Sequence, residues 1–364
     1  MKNSLTQEAK NILLEAFKYH SDGRLTEASK YYQIFLDHGF EHPKVLSNYG
    51  LICKQIGQIN KAIKLLEKSI ENYPQQSGAY LNLANIFKDL GKLEEAKLLT
   101  RKVIDFSPDL AIAYVNHGVI LKDLGLLDEA KLAQLHAIKL QPELALAYLN
   151  LATILHELKE INEAEIVIRR SILLESESAE AHQILGLILK DLGRLDEAKS
   201  ESKKALRLKP NRIDFHLSLV SILKELKQFK EAEEYIRKAI ALKPNFPDTY
   251  IYLAELLREL GKDELAIEAL KTSIKLEPRK VISYINLGGI LCDNNQLIEA
   301  ESILRKALIV DSNLSIAESN LPKLHTNLGI VLEKSVKTQE SEFHLRKAIE
   351  LDPNKKEYRF NLSQ

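Results

Sequence analysis

An excess of charge of either sign is missing from this sequence: 51 lysines and arginines stand against 51 aspartates and glutamates. A nucleic-acid partner would require a basic stripe able to displace counterions, so none is expected. Helix breakers are scarce, with 14 glycines and 10 prolines in 364 residues, most of them at fixed spacing. Long apolar runs are missing too. The opening MKNSLTQEAKNILLEAFKYH holds no apolar core of signal-peptide length, and no later run approaches a membrane span. Membrane insertion is therefore not expected, and the cytoplasm is the expected location.

What the sequence does have is period. Alanines stand at Ala28, Ala62, Ala96, Ala130, Ala164, Ala198, Ala232, Ala266 and Ala300, each 34 residues after the last. A second, mostly small column precedes them by twelve: Ala16, Gly50, Ala84, Gly118, Ala152, Gly186, Val220, Ala254 and Gly288. Pro74, Pro108, Pro142, Pro210, Pro244, Pro278 and Pro353 close most repeats. For a chain of this length about two or three compact domains would be the ordinary expectation. A stack of repeats grows without enlarging one core, and replaces that expectation with a single solenoid.

The repeat spanning 77–110 shows how each is built. Tyr80, Leu83, Ala84 and Phe87 recur at three- and four-residue steps, an apolar stripe on a first helix. Gly91 ends it by supplying the positive φ of a C-terminal cap. Glu94 and Glu95 then meet the positive end of a second helix, which carries Ala96 and Val103 and stops before Pro108. Small residues at the eighth and twentieth positions let the two helices approach closely. By geometry at about 100° per residue, positions four, seven, eight and eleven of the first helix are expected in the core, with two, six, nine and thirteen opposite.

These residues resemble the tetratricopeptide repeat family: an aromatic at Tyr80, Tyr114, Tyr148, Tyr250 and Tyr284, then Leu83-Ala84, Leu185-Gly186 or Leu287-Gly288, then the alanine and proline columns. The resemblance implies an all-α solenoid of helix-turn-helix repeats wound into a right-handed superhelix, whose groove holds other proteins. Repeats fall at about 9–42, 43–76, 77–110, 111–144, 145–178, 179–212, 213–246, 247–280, 281–314 and 322–355. An insertion of seven residues at 315–321 is expected to form a longer loop or an extra helical turn, and 356–364 a capping helix or partial repeat. Departures from the pattern are Phe35 and Phe40 in the first repeat, Val220, Ser176, Ser312 and Ser341.

Position six is the first candidate binding row. It reads Asn48, Asn82, Asn116 and Asn150, then Ile184, Ser218 and Tyr252, then Asn286 and Asn327. An asparagine amide can bond both polar groups of a peptide unit. Helices roughly 8–10 Å apart would grip about every third residue of an extended chain rising about 3.3 Å per residue. The row looks like the asparagine ladder in the repeat region of O-linked N-acetylglucosamine transferases, though asparagine is also common here across the family. Position thirteen is acidic: Asp89, Asp123, Glu157, Asp191, Glu225, Glu259 and Asp293. Either it favours basic partner segments, or it is a solvated face balanced by Lys88, Lys122, Lys190, Lys224 and Arg258.

Catalytic constellations are not found. His182, His216 and His325 occupy position four and read as packing substitutes for tyrosine. His38 and His42 have a spacing suggestive of metal but fall at a repeat boundary, where no helix is expected to hold them as ligands. Cys53 and Cys292 lie seven repeats apart, too far for a disulfide within an extended solenoid. Cys53, at core position eleven, is a poor nucleophile. The glycines are spread at repeat intervals and form no phosphate-cradling loop. The expectation is therefore a non-enzymatic scaffold without a cofactor, holding an extended polypeptide segment. The alternative is the substrate-selecting arm of a glycosyltransferase-like system whose catalytic domain is supplied elsewhere.

Overall fold

A computed structural model describes residues 6–311, 320–353 and 355 of the chain. Among them are twenty α-helices and no strand. Helix contacts divide the chain into two compact units, Met1–Leu192 and Gly193–Gln364. In the first, α1 (Gln7–Ser21) pairs with α2 (Leu25–Asp37), and α3 (Pro43–Gln55) with α4 (Ile59–Asn72). Next α5 (Ser77–Asp89) pairs with α6 (Leu93–Phe106), and α7 (Ala111–Asp123) with α8 (Leu127–Leu140). α9 (Ala145–Glu157) pairs with α10 (Ile161–Leu174), and α11 (Ala179–Asp191) is the last helix of that unit.

The second unit opens with α12 (Leu195–Leu208), followed by α13 (Ile213–Glu225) with α14 (Phe229–Leu242) and α15 (Pro247–Glu259) with α16 (Asp263–Leu276). It ends with α17 (Val281–Asp293) against α18 (Leu297–Asp311) and α19 (Leu321–Lys334) against α20 (Thr338–Leu351). Most of the seven-residue insertion, Ser312, and the segment 356–364 lie outside the described residues; Leu321 already belongs to α19.

Both small columns lie in the core. Every alanine from Ala28 to Ala300 in the position-twenty series is fully buried. A Cβ added to Gly50 would sit 2.9 Å from Leu66 Cγ, and one on Gly288 2.6 Å from Leu304 Cγ. The second helix thus lies directly on the hydrogen of these glycines. Where Ser341 replaces the alanine, its hydroxyl donates to the Gly329 carbonyl at 2.8 Å, so a buried polar group is satisfied.

The turn between the two helices repeats with the same backbone. Position fifteen has positive φ in every repeat, six times as glycine (Gly91 at +74°) and otherwise as Lys159, Lys227, Asn295 and Val336. In the repeat at 77–110, Gly91 N–H donates to Lys88 O at 3.0 Å and Lys92 N–H to Phe87 O at 2.8 Å, the paired bonds of a Schellman cap. At the other end, the position-four tyrosine ties the closing turn down. Tyr148, Tyr250 and Tyr284 donate their hydroxyls to the carbonyls of Pro142, Pro244 and Pro278 at 2.8–3.0 Å. His182 and His216 do the same through Nε2, to Ser176 and Pro210 at 3.0 and 2.9 Å. His325 differs: its Nδ1 faces His344 Nδ1 at 2.7 Å.

One expectation needs correction. Positions three and ten are also core, as buried Ala79 and Ile86 show; position eleven is core as expected at Cys53, Leu121 and Leu155, though Phe87 there is only half-buried. The two-sided burial follows from packing, since α5 touches α4, α6, α3 and α7. A stripe derived from one helix pair omits the neighbours stacked on its other side.

Candidate functional site

In the first unit α3, α5, α7, α9 and α11 pack side by side in sequence. That row brings Asn48, Asn82, Asn116 and Asn150 to equivalent places, each half-buried. They are not equally free. Asn48 Nδ2 donates to the Tyr32 hydroxyl at 3.3 Å. Asn82 and Asn116 make no hydrogen bond among the described residues, so both ends of their amides remain available. Asn150 Nδ2 is shielded from solvent and has no acceptor.

In the second unit the row changes character. Ser218 is turned back onto its own helix, donating to Asp214 O at 2.9 Å. Asn286 on α17 and Asn327 on α19 border a cavity of about 270 Å³, with Arg258, Cys292 and Lys323 also on its wall. Asn327 Nδ2 donates to Ile285 O at 3.4 Å, a long bond, and Asn286 has no partner among the described residues. Gly289, whose Cβ would meet only Asn327 Nδ2 at 3.8 Å, keeps side-chain bulk off the part of α17 that borders the cavity. Lys323 has no carboxylate partner among the described residues.

The acidic position-thirteen residues are exposed, and most are paired; Glu259 has no ion pair among the described residues. Lys54 Nζ reaches Asp89 at 2.6 Å, Lys122 reaches Glu157 at 3.7 Å, and His156 Nε2 meets Asp191 at 2.8 Å. Arg258 bonds Asp293 in the same way. At these four places a basic group at position twelve of one repeat thus meets the acid at position thirteen of the next, whereas Lys224 reaches Glu255 at 2.7 Å instead. Asp123 is held within its own repeat by Lys122 at 3.0 Å. Partial burial pulls the Lys122 ammonium downward in pKa, but bonding to Asp123 and the charge of Glu157 outweigh it and leave it raised.

These contacts span 35 residues, one repeat plus one, and the helical angle between adjacent positions gave no hint of them. The signal was present as two parallel columns of opposite sign. Lys323, at position two, was also missed, because that position elsewhere carries no consistent chemistry.

Among the described residues no group of three or more histidine, cysteine, aspartate or glutamate side chains is placed to hold a metal. His38 instead ends α2, its Nδ1 donating to Ile34 O at 2.8 Å, and His42 precedes α3. Cys53 and Cys292 are both reduced and buried, and burial pushes both thiols up in pKa.

Tandem helix-turn-helix repeats with a shared small-residue contact, a recurring left-handed turn and an open row of first helices define an α-solenoid of the interaction-scaffold class. The chain belongs to the tetratricopeptide repeat family, whose model matches residues 43–76, 111–144, 145–178, 179–212, 213–246, 247–280 and 322–355. Two further models of the same repeat match 65–97 and 282–310. No curated protein matches the chain. Among solved structures it is similar to the APC/C hetero-tetramer Cut9-Hcn1, at 17% identity and TM-score 0.58, covering 100% of this chain and 77% of that one. Yeast Tom70 is similar at 15% identity and TM-score 0.56, over 98% and 94% of the two chains. The human IFIT1 dimer with PPP-AAAA is similar at 18% identity and TM-score 0.58, over 93% and 81%. At such identities the likeness is one of fold. That fold is typical of protein-interaction adaptors and generally non-catalytic. Among the described residues no helix is long and apolar enough to cross a membrane.

Proposed function

We propose that the protein is an adaptor that holds an extended polypeptide segment by its backbone. Asn82 and Asn116 act as grips within the first unit, and Asn286 and Asn327 form a separate grip within the second. The observation that carries this reading is the state of the amides. Asn82, Asn116 and Asn286 sit half-buried on first helices, yet their side chains have no hydrogen bonds among the described residues. A half-buried amide without a partner forfeits part of its solvation, and a peptide unit restores both bonds. Asn48 is partly engaged by Tyr32 and makes a weaker grip. Lys323 adds a cation beside Asn327, suited to an acidic side chain on the segment. The paired acids Asp89, Asp123 and Asp191 fix the rim of each repeat and do not select basic partners.

Selection of twelve-residue peptides from a random library against the intact protein tests this. Replacing Asn82, Asn116 and Asn286 together with alanine should weaken the selected peptides at least tenfold, with the helical content unchanged. N-methylation of the peptide backbone should abolish binding, while single alanine substitutions along the peptide change it little. Peptides that tolerate N-methylation but not alanine substitution would mean recognition by side chains, and the asparagines would leave the account.

A further inference from the structure

The second unit carries another concavity, on different helices from Asn286 and Asn327. It lies among α12, α13 and α14, has a volume of about 610 Å³, and is bordered by Arg207, His216, Tyr235 and Lys238. Pockets that hold small molecules typically measure about 300–1,000 Å³ and combine apolar walls with a few polar groups. Leu206, Leu242 and the ring of Tyr235 supply the apolar part here.

The charges on the wall are lopsided. Lys203 is neutralised by Glu231 at 2.6 Å. Arg207 and Lys238, by contrast, have no carboxylate partner among the described residues, and no acidic residue borders the cavity. Lys238 Nζ lies over the Tyr235 ring, 4.8 Å from its centroid, which keeps its stem along the apolar wall. Two like charges facing one cavity repel, and an anion between them relieves that repulsion.

His216 completes the site. It stands where other repeats carry tyrosine, is 5% exposed, and spends Nε2–H on Pro210 O. Its Nδ1 is left without a partner among the described residues. The imidazole makes the tyrosine's bond with a smaller ring, and it faces Tyr235 at 5.9 Å between centroids.

We propose that this cavity binds a small organic carboxylate on an apolar body. Arg207 and Lys238 hold the carboxylate, and Leu206, Tyr235 and Leu242 hold the body. Bidentate geometry makes the guanidinium the principal anchor, with the ammonium as a flexible second charge.

Calorimetric titration of the full chain with octanoate, octanol and inorganic phosphate separates the contributions. Octanoate should bind at least tenfold more tightly than either of the others, since octanol lacks the charge and phosphate the apolar body. With isotope-labelled histidine, octanoate should move the His216 ring resonances and leave those of His42 and His117 in place. The R207Q/K238Q double variant, altered only at exposed side chains, should weaken octanoate at least tenfold. Leu242→Asp, which sets a carboxylate of the chain's own into the wall, should weaken it as well. Equal binding of octanol or phosphate, unmoved His216 resonances, or undiminished affinity in either variant would overturn the proposal.

Discussion

Two adjacent glycines on α17 show how much one hydrogen decides. A Cβ on Gly288 would fall 2.6 Å from Leu304 Cγ and Cδ2, and Leu304 is fully buried and cannot step aside. A Cβ on Gly289 would meet only Asn327 Nδ2, at 3.8 Å. Both substitutions bring the same gain in helix propensity, about 1 kcal/mol. Overpacking then costs Gly288→Ala about 1–3 kcal/mol, whereas Gly289→Ala incurs no such cost. Urea denaturation should therefore show Gly288→Ala lowering the midpoint and Gly289→Ala raising it. Two shifts of the same sign would mean that Leu304 yields and that the small column is not what sets the spacing.

At the scale of the element, the helix-ending turn is where this chain departs from its own pattern. The left-handed position costs a residue other than glycine about 1–2 kcal/mol, and a β-branched residue suffers most. Val336 holds it at φ +60° while 85% exposed, so its side chain buries almost nothing in return. Val336→Gly should raise stability by about 1 kcal/mol, read as a higher midpoint in chemical denaturation. An unchanged or lower midpoint would mean that the turn adopts another backbone in solution. The turn itself was legible from Gly91 and its counterparts, as were both helices of each repeat and the alanine column. That Lys159, Lys227 and Val336 keep the same conformation was not, since nothing in their chemistry asks for it; only Asn295, of the four, is a residue type that favours it. The burial of Ala79 and Ile86 and the Lys54–Asp89 link were equally hidden. These are properties of one repeat against the next, whereas periodicity within a helix reports only the pair. The candidate site was legible as a row of asparagines, but which amides are free depends on neighbours such as Tyr32 and the Ile285 carbonyl.

Across the whole chain, formal charge cancels, so the pH dependence of stability rests on particular buried groups and not on net repulsion. Four imidazoles stand out: His42, His117, His216 and His344, each lowered in pKa chiefly by desolvation. Nearby cations add to this, Lys44 beside His42, Arg101 and Lys97 beside His117, and Lys238 beside His216. The unfolded chain titrates its histidines near about pH 6.5, so below that it binds protons that the folded chain refuses. Stability should therefore fall as pH drops through about 6.5, and go on falling until each folded-state pKa is passed. The paired carboxylates Asp214, Glu231, Glu233 and Glu301 are lowered mainly by hydrogen bonds from Arg212, Lys199, Arg237 and Lys337, respectively. Their contribution is lost only as pH falls below about 4.5, the ordinary carboxylate range, which leaves the window from about 7 to 5 to the histidines. Urea midpoints at pH 7.5 and 5.5 should differ in that direction. His117→Gln with His344→Gln should shrink the difference, because a glutamine can still bond Thr100 or His325 but cannot charge. These two imidazoles lie in different compact units, so each single variant should account for its own part of the loss. A midpoint that is flat across this range would mean that the four rings reach solvent before the fold is lost.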